Sequence, residues 1–151
     1  MASRNSVGSS QGRFGRHSVL IRLDVYGLPK PQGSKKIIHG RLVEASGNAL
    51  KVWRRQIADA CSPHSQENIH LGPVRLEVDF FLPRPKTVSF QKRPKPIVPP
   101  DLDKLARAVL DGIGQSEMIW GDDSQVVEIF ARKYYADDRE PGAVIVIKPL
   151  L

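Results

Sequence analysis

Four aspartates fall in two pairs within one stretch, PPDLDKLARAVLDGIGQSEMIWGDDSQVV (99–127): Asp101 and Asp103, then Asp122 and Asp123. Carboxylates brought together without a cation repel one another, and at least one is pushed toward its protonated form. Mg²⁺ or Mn²⁺ removes that conflict, because a hard cation prefers carboxylate oxygen and keeps several of its waters. The chemistry such a group supports is metal-assisted phosphodiester hydrolysis, with a water activated, a phosphate oriented and the departing oxygen stabilised. Each acid of the first pair also has a plainer explanation. Asp101 suits a helix N-cap, and acids in a first turn complement the helix dipole. That accounts for Asp101 and Asp103 but not for the second pair.

The elements must then bring the pairs together. Leu102, Leu105, Ala106, Val109, Leu110 and Ile113 recur at helical spacing, so a helix is expected over 102–113, with Gly112 and Gly114 as its stop. Such a helix is about 18 Å long. Residues 114–121 can span about 26 Å when extended, enough to return Asp122 and Asp123 to the helix start. Asp103, Arg107 and Asp111 share one helix face at i, i+4, i+8. Arg107 can therefore serve a scissile phosphate or a transition-state charge. It can equally form an intrahelical ladder with Asp103 and Asp111, and Asp111 is read as structural.

The rest of the chain supplies a scaffold and a supply of positive charge. Ile21, Leu23 and Val25, with Val19 before them, alternate with polar residues as a half-buried strand. A basic loop without acids follows (27–41), with Lys30, Lys35, Lys36 and Arg41 and a short hairpin around residues 37–43. A helix is expected from near Ser46, with Leu50, Trp53, Ile57, Ala58 and Cys61 on its apolar stripe, which makes Trp53 core rather than a stacking surface. Val74, Leu76, Val78, Phe80 and Leu82 give the clearest strand. The segment 83–100 holds Arg84, Lys86, Lys92, Arg93 and Lys95, no acid and many prolines; it is either an exposed spacer or a DNA-contacting loop. Strands are expected over 126–134 and 143–147. The expected class is a small single domain of mixed α/β (α+β) type, with a mixed β-sheet and two main helices spanning 18–151. Residues 1–17, rich in Gly and Ser, are expected to be a disordered basic tail.

A net charge of +7 and a pI near 9.8 favour polyanionic partners. One cysteine excludes an internal disulfide and a cysteine zinc site, the histidines show no zinc spacing, and no nucleotide-binding glycine fingerprint is present. No apolar run long enough for a membrane span and no secretory signal occur, so a cytoplasmic setting is expected.

PDLDKLARAVLDGI (100–113) followed by GDDSQV (121–126) resembles the RusA family of Holliday junction resolvases, common in bacteriophages and prophages. The resemblance extends to the strand before the KPQGSKK loop, the helix around Trp53 and the closing strands. It implies a homodimeric, Mg²⁺-dependent endodeoxyribonuclease that nicks a four-way junction symmetrically on two strands, leaving 5′-phosphate ends, in the cytoplasm of a bacterial or phage-infected cell. It implies Asp101, Asp103 and Asp123 as metal-holding catalytic acids, with the neighbouring Asp122 as a further metal ligand. The family's helical lysine falls on Arg107, which keeps the charge but changes its geometry, and Lys104 lies one turn nearer the helix start. The DNA contacts expected are Lys35, Lys36, Arg41, Lys92, Arg93, Lys95 and Lys104. Two other classes remain: a nuclease acting on flaps or forks, and a non-catalytic junction-binding protein. The acids argue against the latter, since carboxylates repel a phosphate backbone unless a metal intervenes.

Overall fold

The computed structural model describes residues 20–45, 47–64 and 71–150. The tail 1–17, Val19 and Ser46 itself lie outside the described residues, and the helix expected from near Ser46 is described from Gly47. Among the described residues six strands and two α-helices follow in the order β1 (Ile21–Tyr26), β2 (Lys35–Ile38), β3 (Arg41–Glu44), α1 (Gly47–Ala60), β4 (Val74–Leu82), α2 (Leu102–Ser116), β5 (Val126–Tyr135) and β6 (Gly142–Pro149). This is the mixed α+β domain that periodicity called for.

The main sheet has the order β1-β6-β4-β5. β6 lies antiparallel to both β1 and β4, while β4 and β5 run parallel. Parallel neighbours need a crossover, and α2 provides it between β4 and β5. The order also separates β5 from β6, although only a short turn joins them in sequence. β2 and β3 form a separate hairpin. Its turn residues, His39 and Gly40, both have positive φ (48° and 73°), as a two-residue turn of right-twisted strands requires.

Both helices cover one face of the main sheet. Strand alternation turns Leu23, Val25, Leu76, Val78, Phe80, Ile145 and Ile147 inward, where they meet Leu50, Trp53 and Ile57 of α1 and Leu105, Val109 and Ile113 of α2. Trp53 is fully buried, as its place on the apolar stripe implied. The opposite face of the sheet carries no helix among the described residues.

One expectation is corrected. Gly112 and Gly114 do not stop α2, which continues through both to Ser116 and closes at Glu117 in the left-handed region (φ 57°). Each glycine serves a close approach instead. A Cβ at Gly112 would stand 2.8 Å from Ile57 Cβ, so this glycine lets α1 and α2 cross tightly. A Cβ at Gly114 would stand 3.1 Å from Asp123 Oδ1.

Candidate active site

α2 begins at Asp101, whose extended backbone (φ −69°, ψ 141°) places it at the N-cap and whose carbonyl oxygen accepts from the Leu105 amide. Its carboxylate makes no capping hydrogen bond. The carboxylate is 60 % exposed, with Lys104 Nζ 3.5 Å away. The side-chain capping explanation of Asp101 therefore fails on geometry, and the carboxylate is left exposed, paired only with Lys104 among the described residues. Asp103 is also exposed and takes part in no ion pair among the described residues.

Two segments hold Asp101 in place. Lys133 of β5 donates from Nζ to the carbonyl oxygens of Val98 and Pro100, each at 3.0 Å, which fixes the chain just before Asp101. On the other side, the amide of Gln32 donates to the Lys104 carbonyl, and Arg54 Nη1 donates to Gln32 Oε1. The KPQGSKK loop is thereby docked on the first turn of α2. Between them lies an open cleft of about 400 Å³ lined by Lys30, Ser34, Pro99, Pro100, Asp101 and Lys104.

Arg107 runs beside the same loop. A Cβ at Gly33 (φ 88°) would stand 3.3 Å from Arg107 Nη1, so the glycine both makes the turn and leaves room for the guanidinium. Arg107 is exposed and forms no ion pair with Asp103 or Asp111. The ladder that helical spacing allowed is not formed. Asp103 and Arg107 instead line an apolar groove of about 560 Å³ between α2 and β5, with Leu102, Ala106, Leu110, Ile129 and Ala131.

The second acid pair lies elsewhere. Asp122 caps a short turn at Asp123–Gln125: its Oδ1 accepts from the Ser124 amide at 2.7 Å, and Gln125 Oε1 accepts from the Asp122 amide. These bonds from Ser124 hold the Asp122 carboxyl below the usual carboxylate range. Asp123 is half-buried, and its Oδ1 accepts from the indole Nε1 of buried Trp120 at 2.9 Å. Burial pushes its carboxyl above the usual range; the Trp120 bond opposes this, while Asp111 and Asp122 add to it.

Asp123 thus sits beside Gly114 and Asp111, at the far end of α2. The expected return of residues 114–121 to the helix start does not occur. The connection instead turns immediately at Glu117 and buries Ile119 and Trp120 under the helix end. Residues 103 and 114 are about 16 Å apart along a helix rising 1.5 Å per residue. Among the described residues no three acids, histidines or cysteines stand close enough to share a metal.

The expected DNA contacts divide as well. Lys36 and Arg41 project from the exposed hairpin, whereas Lys35 is paired with Glu44 across it at 3.0 Å. Lys92 and Lys95 are exposed, but Arg93 is half-buried and donates from Nε to Tyr135 Oη at 2.7 Å. The proline-rich segment is held by Arg84, which bonds Asp137 and the carbonyls of Ser89, Arg93 and Pro94. Sequence reasoning passed over Lys133, Trp120 and Lys30 in the site. Lys30 was visible in the basic loop, but a lysine in a strand and a tryptophan near an acid carry no signal of their own.

Residues 27–148 match the family model described as Endodeoxyribonuclease RusA. The chain belongs to the RusA endodeoxyribonuclease family. It is also 32 % identical over 139 residues to the uncharacterized protein YqaN of Bacillus subtilis (strain 168), an alignment covering 85 % of this chain and 95 % of that protein. Family membership makes DNA the polymer acted on and hydrolysis within the strand the class of reaction. No helix among the described residues is long and apolar enough to cross a membrane.

Proposed function

We propose that this protein is a Mg²⁺-dependent resolvase of four-way DNA junctions, acting as a homodimer in which each active site takes Asp101 and Asp103 from one copy and Asp123 from the other. The observation that carries this reading is the separation of the acids within one chain, at opposite ends of α2. By type the donors fit a hard cation: they are carboxylates, and those of Asp101 and Asp103 are exposed and engaged in no cap. By placement they do not fit within a single copy. A two-fold axis crossing α2 between Arg107 and Leu110 runs two such helices antiparallel and sets residue 103 of one copy opposite residue 114 of the other, beside its Asp123.

The surface around such an axis supports the pairing. It is the apolar groove between α2 and β5, and β5 is an edge strand that leaves Val127 and Ile129 exposed. A C₂ dimer also presents two equivalent sites to a junction of near two-fold symmetry, which is what paired symmetric nicking requires. Asp101, Asp103 and the partner copy's Asp123 would hold the cation, which would offset their mutual repulsion and supply Lewis-acid activation of water. Arg107, unpaired and steadied against Gly33, binds the scissile phosphate, and Lys30 and Lys104 line the approach beside Asp101. Asp122 positions the turn that carries Asp123 through its cap. Such an activity serves DNA recombination and repair in the cytoplasm of a bacterial or phage-infected cell.

The test is cleavage of a labelled four-way junction beside a linear duplex, with Mg²⁺ or EDTA, and with Asp103→Asn. Paired nicks in the junction alone, dependent on Mg²⁺ and on Asp103, are expected. Equal cutting of flaps or forks would replace the junction with branched DNA in general. Tight binding without any cleavage would leave a junction-binding protein.

A further inference from the structure

The sheet face opposite the two helices is divided in two by its side chains. Across one half each arginine meets an acid: Arg22 with Asp24, Arg75 with Glu77 and Glu128, Arg132 with Asp79; Lys148, in the Arg75 rung, is exposed and forms no ion pair among the described residues. The other half is different. Tyr26 is paired with Gly142, Gly142 with Phe81, and Phe81 with Tyr134, so these four residues form one rung across all four strands. Residues in one rung share a face of the sheet. The rung therefore sets three aromatic rings side by side over three strand spacings, about 14 Å.

Two cations complete the row without any acid. The Phe81 and Tyr134 rings lie 5.6 Å apart at 22°, and Lys95 Nζ sits 4.9 Å from the Tyr134 centroid. Gly142 has no side chain to fill the space between Tyr26 and Phe81. Arg139 occupies it, with its guanidinium 4.0 Å from the Phe81 ring and 5.7 Å from the Tyr26 ring. Arg139 donates from Nε to the Glu140 carbonyl, and its buried Nη2 has no hydrogen-bond partner among the described residues. Neither Arg139 nor Lys95 forms an ion pair among the described residues. Tyr26 is 63 % exposed, an unusual position for a ring with a merely structural role.

We propose that this row, Tyr26–Arg139–Phe81–Tyr134–Lys95, is a stacking platform for the unpaired bases of single-stranded DNA. Rings and guanidinium planes offer every base a face to stack on without reading its sequence, and a nearby cation takes the phosphates. The exposed acids Asp138 and Glu140 flank Arg139 in sequence, so the phosphate track falls on the Lys95 side. Lys95 belongs to the segment that runs on to Asp101, and residues 95–101 span at most about 21 Å. A strand lying on the platform is thus led toward the acids, which suits a junction arm or fork with unpaired bases near its branch point. The inference rests on DNA being the substrate, but it concerns binding and not cleavage.

The test is fluorescence anisotropy of the full chain in EDTA, where no cutting occurs, with a labelled 15-mer of thymidylate and a blunt duplex of equal length. Wild type is expected to bind the single strand. Tyr26→Leu, Phe81→Leu and Tyr134→Leu are each expected to weaken that binding about tenfold, the low end of what stacking contributes, and to leave duplex binding within about twofold. Tyr26→Phe is expected to retain it, because the ring face is kept. Failure of wild type to bind the oligonucleotide would overturn the proposal. So would an equal loss on single strand and duplex, or a Tyr26→Phe variant as weak as Tyr26→Leu. Junction cleavage by the same variants is measured separately, so failure of the platform is distinguishable from failure of the nuclease reading.

Discussion

The carboxylate of Asp123 lies against Gly114, with 3.1 Å between its Oδ1 and the place a Cβ would take. Gly114→Ala gains helix propensity, about 1 kcal/mol in an exposed helix interior, but forces the carboxylate to give by a few tenths of an ångström. The expected outcome is unchanged or slightly raised stability with cleavage reduced about tenfold or more, since small misplacements of reacting groups are costly. Gly112→Ala is the contrast. Its Cβ would stand 2.8 Å from Ile57 Cβ and 3.2 Å from the Arg54 carbonyl oxygen. Overpacking of this kind costs about 1–3 kcal/mol, so Gly112→Ala is expected to lower the melting temperature. Thermal melts and single-turnover cleavage of the two variants, run together, separate the two roles.

If each site draws on both copies, Asp103→Asn and Asp123→Asn complement one another. A mixed dimer then holds one doubly defective site and one intact site. Random pairing of equal amounts, by co-expression, gives about a quarter of the wild-type sites, seen as single unpaired nicks in the junction. Each variant alone is expected to be inactive. Mixed dimers with no activity would place all the acids of a site in one chain.

Asp123 makes a prediction in pH. Burial raises its carboxyl in the folded protein, so its contribution to stability is fully present below the unfolded value of about 3.9 and is lost as pH rises through the folded value. Asp123→Asn is neutral throughout and keeps an oxygen to accept from Trp120. In EDTA it is expected to melt above wild type near pH 7, with the gap closing as pH falls toward 4. A variant that melts lower than wild type at pH 7 would contradict the assigned cause.

The proline-rich segment separates anchoring cations from free ones. Arg84 sits over the Tyr135 ring at 4.1 Å while it bonds Asp137 and three carbonyls of the segment. Arg84→Met is expected to open residues 85–95 to trypsin at Lys86 and Lys92, with cleavage faster by about an order of magnitude as local stability falls. Arg93→Ala, which loses its bond to Tyr135, is expected to shift in the same direction. Lys92→Ala leaves these anchors intact. It is expected to weaken DNA binding and to reduce the salt slope of log K by about 1, read by titration at several salt concentrations.

Local pattern carried most of the scaffold. Alternation from Val74 to Leu82 and helical spacing from Leu102 to Ile113 are statements about which side of an element meets the core, and burial enforces them. The acidic pairs and the basic loops were equally legible, because charge and spacing are written residue by residue. The sequence alone therefore determined the class of fold, the family and the acids worth testing. What it did not determine was which residues stand next to which. A chain of the length 114–121 can reach either end of α2; burial of Ile119 and Trp120, with the turn at Glu117, decided for the far end and left Asp123 beside Gly114. The aromatic row was likewise invisible. Tyr26, Phe81 and Tyr134 lie far apart in the chain, and only strand order and register set them in one rung with Gly142. Periodicity fixes the face a side chain occupies, but its neighbours on that face come from hydrogen-bonded pairing between distant strands, which no local pattern encodes.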